Sequence, residues 1–519
     1  MIARRGRGGW ARAALGAITA VALLVPASGA PVASAAPSAA PGAAWTVMLY
    51  VDADNNLDIG LLDQIKDAAE VRYGGAANLV VLIDRSQEAG EAEPLMNVGT
   101  FTGAKLLQVG EGELTELQDL GEIDMGNPRT LAWFLQESAR RFPAEHYSLS
   151  VIDHGGAWQG ISWDDDAPDD ERGDPSNLTM ADLSTGLQQG LQAAGIDRLD
   201  VLNLSACLMG SYEVASEVQP FARYLVAAEE ISLSYLFDMR TIMGELQSGG
   251  VTPEQLAVDF VDTYDANSTT YGGKEEQSFA ALDLDQVPRL RTQVDGLFQA
   301  IGDDLEASAL PLASARADAL TFGALGIPGV ENPFAQVDLG DLLLRLQSGS
   351  PKPPDDVLRW AAAVREQLAR TLVHQVTGVS TASATGLSLY FPVSADAGGG
   401  PYDHYATDVH AGSWPKLLDA VHEQLATRAK AAGELRFAAD PTLAETDGGL
   451  TLSAPIDDET RSLLTDAKFQ VSVGIEGGAR RGCCCSSQRS SARGPSARGG
   501  TSRASPWTPR RARWWPPPS

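Results

Sequence analysis

His154 and Cys207 stand 53 residues apart, and each closely follows a short apolar run. The run SLSVID (148–153) leads into His154-Gly155-Gly156, and LDVLNL (199–204) leads into Ser205-Ala206-Cys207. A thiol attacks a carbonyl well only as thiolate, and a nearby imidazole or helix N-terminus favours that form. Glycines after the histidine let a peptide approach the backbone closely. The backbone N–H groups of Gly155 and Cys207 are candidates to hold the developing oxyanion. A buried structural cysteine and a turn histidine are the competing readings. Joint placement at two strand ends favours the catalytic pair. His146, His374, His404, His410 and His422 have no such setting and read as surface or packing residues.

Such a pair meets only if its strands share one sheet edge, and the chain is patterned for that. WTVMLYV (45–51), NLVVLID (78–84), SLSVID, LDVLNL and YLVAA (224–228) are continuous apolar runs, as in strands covered on both faces. Helical spacing fills the intervals at 59–71, 127–141, 179–194 and 211–223. The alternation predicts an α/β fold with an open, largely parallel sheet, whose functional groups gather at the carboxyl ends of the strands. Residues 100–109 suggest a short pair of strands. Beyond Glu254 the pattern is mainly helical (253–265, 287–307, 339–346, 354–376), with a returning strand at 386–392 and a closing helix at 414–432. The expected organisation is a catalytic core over 45–235, a helical C-terminal part over 236–435, and the start of a β-rich segment over 436–476.

Charge and cysteine divide the chain unevenly. Its 519 residues carry 39 Lys+Arg and 68 Asp+Glu, a net charge of −29. Four Arg lie in 1–35 and nine in 477–519, neither stretch holding an acid, so 36–476 sets 26 basic against 68 acidic residues. That balance argues against nucleic acid or an anionic membrane as partner. Three of the four cysteines are Cys483, Cys484 and Cys485, so a disulfide framework in the body is excluded. Residues 1–35 read as a cleavable secretory signal: Arg4, Arg5, Arg7 and Arg12, then an apolar run over 13–25, then Ala33-Ser34-Ala35. The run is too short for a good membrane span. Residues 36–44 read as a linker. The tail 477–519 is basic and of low complexity, and its abrupt onset fits a shifted reading frame.

The sharpest acidic cluster is DDDAPDDERGDP (164–175). It reads as a solvated loop or as a calcium site with Asp164, Asp165 and Asp166 as ligands, since oxygen-rich clusters suit hard cations. The segment DADNNLD (52–58) imitates an EF-hand start but has Leu57 where the turn glycine belongs, and reads as a turn and helix cap.

The motifs VIDHGGAWQG and LSACLMGSYEVASE resemble the two active-site motifs of the clostripain-like cysteine peptidases, relatives of caspases and legumains. WTVMLYVDADNNLD, MGNPRTLAWFL, VDLGDLL and GLSLYFP extend the resemblance over about 45–425. It implies a caspase-like α/β/α sandwich, Cys207 as nucleophile, His154 as proton-transfer partner in a dyad, and Gly155 as an oxyanion donor. It also implies a peptide or protein substrate with Arg or Lys at P1, no cofactor for the chemistry, and self-processing in the acidic loop at Arg172. Family members often carry Asp two residues before the nucleophile; here that residue is Ser205, which cannot pair with a guanidinium as a carboxylate does. Glu229, Glu230 and Asp238 are the candidates to supply the missing charge. A catalytically silent secreted binding protein is the rival reading.

Overall fold

Along β1 (Ala43–Ala53) the side chains point alternately into two separate cores: Met48 and Tyr50 into one, Val47, Leu49 and Val51 into the other. That alternation is the pleat of a strand, and here both faces are dry. The computed structural model describes residues 42–86, 93–167, 176–232, 237–324, 332, 334–393, 405, 409, 411–432, 439, 442–446 and 449–453. The signal-like segment, most of the linker, Arg172 and the basic tail lie outside the described residues.

β1 is followed by β2 (Ala77–Arg85), β3 (Ala104–Gly110), β4 (Glu113–Gly121) and β5 (Ala144–Ile152). A hairpin of β6 (Ile161–Asp164) and β7 (Ser176–Leu178) precedes β8 (Leu199–Ser205), β9 (Ala222–Ala228) and β10 (Ser278–Asp283). β11 (Thr321–Phe322), β12 (Gln336–Asp338), β13 (Leu372–Thr377) and β14 (Ser388–Tyr390) complete the body, before a hairpin of β15 (Thr442–Thr446) and β16 (Gly449–Ser453). Nine strands form one sheet in the order β13-β10-β9-β8-β5-β1-β2-β3-β4. The five central strands, β9-β8-β5-β1-β2, are parallel. Antiparallel pairs flank them on both sides. The expected strand pair near 100–109 is β3 with β4, reaching further along the chain.

Helices cover both faces. α1 (Asp58–Ala69), α5 (Met239–Ser248) and α6 (Pro253–Tyr271) pack on one side through Ile65, Ile242 and Phe260. α2 (Pro128–Arg141), α3 (Met180–Ala194), α4 (Tyr212–Val218) and α7 (Val287–Asp303) pack on the other through Phe134, Leu187, Val214 and Leu290. α8 (Leu305–Asp318), α9 (Leu339–Ser348), α10 (Asp355–Thr371) and α11 (Trp414–Ala432) add to that second core. The result is an α/β/α sandwich, and the C-terminal part joins the same sheet through β10 and β13. The helix starts follow local chemistry: Asn127 caps α2 by accepting from Arg129 N–H with Pro128 behind it, and Thr179 caps α3. A buried bidentate pair, Arg85 Nε and Nη2 with both oxygens of Asp58 at 2.7 Å, pins α1 to the end of β2. Among the described residues no helix is long and apolar enough to cross a membrane.

Candidate active site

β5 and β8 are parallel neighbours, with Ile152 opposite Ser205. The residues that follow them, Asp153-His154-Gly155 and Ala206-Cys207, therefore leave the same sheet edge side by side. The two loops meet at Gly155. A Cβ there would stand 2.3 Å from the Cys207 carbonyl oxygen and 2.8 Å from the Ala206 Cβ. Only glycine allows that approach. The Cys207 loop is tied to the end of β9 by Gly210 N–H to Ala228 O (2.7 Å) and to the segment just after it by Leu208 N–H to Glu230 O (3.3 Å). Leu208 takes a positive φ of 66°, a conformation costly for a side chain of its size, immediately after the thiol.

Cys207 is half-buried. Its Sγ accepts from Ser232 N–H at 3.4 Å and lies 3.9 Å from Ser232 Oγ. Burial pushes the thiol above its ordinary value, with Glu230 and Asp153 adding to the shift and Ser232 opposing it. Burial also holds His154 below the usual imidazole value, while Asp165 acts the other way. Both directions favour the uncharged forms, thiol and imidazole.

His154 Nε2 lies 2.8 Å from Asn56 Oδ1, and Asp153 is held by Asn55 Nδ2 (2.7 Å) and Trp163 N–H (2.6 Å). The contacts of Asn56 with His154 and of Ser232 with Cys207 have no counterpart in the sequence reading. The two asparagines of DADNNLD were legible as turn formers, and Asn55 does accept from Leu57 N–H at 2.9 Å. Their second task spans 98 residues of chain, which no local pattern reports.

The four residues considered for a substrate pocket have different surroundings. Ser205 is fully buried. Glu229 is also fully buried and accepts from Ser278 Oγ, Gln375 Nε2 and Gly386 N–H. It lies against Asp338, so burial and that neighbour keep Glu229 protonated well above the usual range, and Asp338 is raised to about 6. Asp238 spends both carboxylate oxygens on Thr241, capping α5. Glu230 is half-buried beside the Cys207 loop, its Oε1 accepting from Ile231 and Gly323 N–H.

The acidic residues also regroup. Asp164 groups with Asp54 and Glu122, while Asp165 and Asp166 are exposed beside that group and act on its carboxylates. One carboxylate oxygen from each of these three lies within 4.8 Å of the others. Asp54 is 1% exposed, and both its oxygens lack a hydrogen-bond partner among the described residues. Burial and the neighbouring carboxylates raise Asp54 to about 7 and nearby Asp84 to about 9. Arg85, the adjacent cation, is committed to Asp58 and the Glu93 carbonyl.

A model of the clostripain family matches residues 49–336. Clostripain of Hathewaya histolytica is 26% identical over 299 residues, which are 49% of this chain and 55% of clostripain. The chain thus spans about half the length of that relative. Two solved structures share the fold. An inactive zymogen C11 protease from Parabacteroides distasonis superposes with a TM-score of 0.54 at 18% identity, over 73% of this chain and 99% of its own. A secreted C11 cysteine protease from Bacteroides thetaiotaomicron, in complex with an irreversible peptide inhibitor, gives 0.52 at 15% identity, over 73% and 99%.

Proposed function

The chain belongs to the clostripain family, and on that premise we propose that it is a secreted cysteine endopeptidase with Cys207 as nucleophile and His154 as its proton partner. The observation that carries this reading is the contact at Gly155, which holds the His and Cys loops together at one sheet edge. The Sγ proton passes to His154 as the thiolate attacks the peptide carbonyl carbon. The oxyanion is received by the Gly155 and Cys207 N–H groups; their neighbours Gly156 and Leu208 are already committed to Gly160 O and Glu230 O. His154 then protonates the leaving amine, and a water deprotonated by His154 hydrolyses the thioester. No step calls for a metal.

Glu230 is the acid this reading assigns to Arg or Lys at P1. It is the member of the considered set that lies beside the thiol without being fully buried. The body's excess of acid favours basic substrates through steering. A positional peptide library tests both points: cleavage after Arg or Lys is expected, and Glu230→Gln should erode that preference by roughly 10- to 100-fold, the scale of one charge-assisted contact. A preference for neutral P1 residues overturns the assignment. Absence of any hydrolysis leaves the silent binding protein as the better reading.

Calcium belongs to the proposal as a structural ion. The ligands are Asp54, Glu122 and Asp164, which offer only oxygen, as hard cations require. The orphaned carboxylate of Asp54 supports that fit. Calcium at 100 times its Kd should stabilise the protein by about 2.7 kcal/mol, seen as a rise in Tm. Asp54→Asn should remove the rise. An equal Tm with calcium and with chelator counts against the site.

A further inference from the structure

We propose that Asn56 is the positioning residue of His154, so that the catalytic pair works as a Cys–His–Asn set rather than a dyad. This rests on the peptidase reading above. The argument begins with register. β1 and β5 are parallel, with Val51 opposite Ile152, so the chain after β1 leaves the sheet edge beside the chain after β5. Two consecutive asparagines then meet two consecutive residues: Asn55 grips Asp153, and Asn56 meets His154.

The two asparagines divide the labour. Asn55 is buried, and its amide makes three bonds: Nδ2 to Asp153 Oδ1, Nδ2 to the Trp163 carbonyl at 3.0 Å, and Oδ1 from Leu57 N–H. Those bonds fix the backbone from which Asn56 projects. Asn56 is exposed, and its amide reaches His154 Nε2 at 2.8 Å. An exposed side chain contributes little to folding, so this one contact calls for another reason.

The chemistry supplies it. A neutral imidazole donates from one nitrogen and accepts at the other, and an imidazolium donates from both. A carbonyl oxygen at Nε2 holds the proton there in the neutral ring. Nδ1 is then the nitrogen left to take the thiol proton. When it does so, Nε2–H keeps its acceptor and the charged ring loses no bond. An amide oxygen does this without adding a negative charge, which agrees with a histidine held below its usual value. Asp165, from the loop after β6, is the ionisable group that acts on His154 in the opposite sense.

Three variants test the role: Asn56→Ala, Asn56→Asp and, as a background for assigning signals, His154→Gln. Asn56→Ala should lower kcat about 100-fold, the cost of a misdirected catalytic group, with KM within twofold and Tm unchanged. The rate of Cys207 alkylation by iodoacetamide at pH 7 should fall with it. Asn56→Asp should recover part of kcat and move the His154 ring titration, followed by NMR of labelled histidine, upward by about one pH unit or more, because a carboxylate favours the imidazolium. Unchanged kcat and alkylation in Asn56→Ala overturn the proposal. So does a loss confined to KM, or a ring titration that ignores Asn56→Asp. The alkylation and titration arms need no peptide substrate, so they decide the role of Asn56 even if peptide hydrolysis fails.

Discussion

Cys207→Ala will abolish peptide hydrolysis, by about 10⁴-fold or more, while leaving the fold and its Tm nearly intact. The expectation follows from the surroundings of the thiol. Cys207 is the one cysteine among the described residues. It is half-buried at the end of β8, with its sulfur held by Ser232. Removing one sulfur atom there opens little space, so the stability cost is small. What disappears is the atom that must bond to the carbonyl carbon, and no neighbouring group replaces it.

The pH dependence of the wild-type protein carries the same prediction further. His154 must be neutral to accept the thiol proton, and burial holds its pKa below the ordinary 6.5. The acid limb of kcat/KM should therefore fall below pH 6.5, with activity lost as the ring protonates. The thiol is shifted the opposite way, above its ordinary 9.0. Alkylation of free Cys207 by iodoacetamide should thus still be rising at pH 9. Saturation of alkylation below pH 7 would mean a standing thiolate–imidazolium pair and would sink this account.

Gly155→Ala is the second substitution with a large expected effect. The added methyl would meet the Cys207 carbonyl oxygen at 2.3 Å, the Ala206 Cβ at 2.8 Å and the Cys207 nitrogen at 3.1 Å. These are backbone atoms and a Cβ, which cannot rotate away. One loop must move, and the His and Cys move apart with it. A displacement of about 1 Å costs on the order of 100-fold in rate, and overpacking about 1–3 kcal/mol in stability. Gly156→Ala is the control. Its methyl would meet the Gln159 side chain and Trp163 at 3.1–3.2 Å, and the Gln159 side chain has freedom to adjust. Steady-state kinetics on both variants decide the matter: kcat/KM for Gly155→Ala within twofold of wild type would show that the close approach is not needed.

Much of this was legible without coordinates. A strand buried on both faces must be a continuous apolar run, and the five central strands announced themselves in that way. Where such a run gives out into Asp-His-Gly-Gly or Ser-Ala-Cys, the chain is leaving the sheet at its carboxyl end. The largely parallel α/β sheet, and the places of His154 and Cys207 at strand ends, could be read from those runs, because burial on both faces leaves a local apolar pattern; the sandwich came from the motif resemblance. The antiparallel edges were less legible: β4 is largely exposed and carries little apolar signal.

Tertiary structure decided the rest, and the reason is register. Sequence put His154 and Cys207 at strand ends, but only the pairing of Ile152 with Ser205 shows that the two loops meet, and why the residue between them is glycine. Glu229 and Glu230 are adjacent and look alike in the chain. Fold alone buries the first against Asp338 and leaves the second beside the thiol. Asp164 drew attention as part of an acidic run, yet its partners are Asp54, 110 residues earlier, and Glu122, 42 earlier. Asn56 was readable as a turn residue, and it took the parallel pairing of β1 with β5 to bring it to His154. Residue types and strand ends are local and can be read along the chain. Which ends touch depends on contacts across a hundred residues, and those exist only once the sheet has closed.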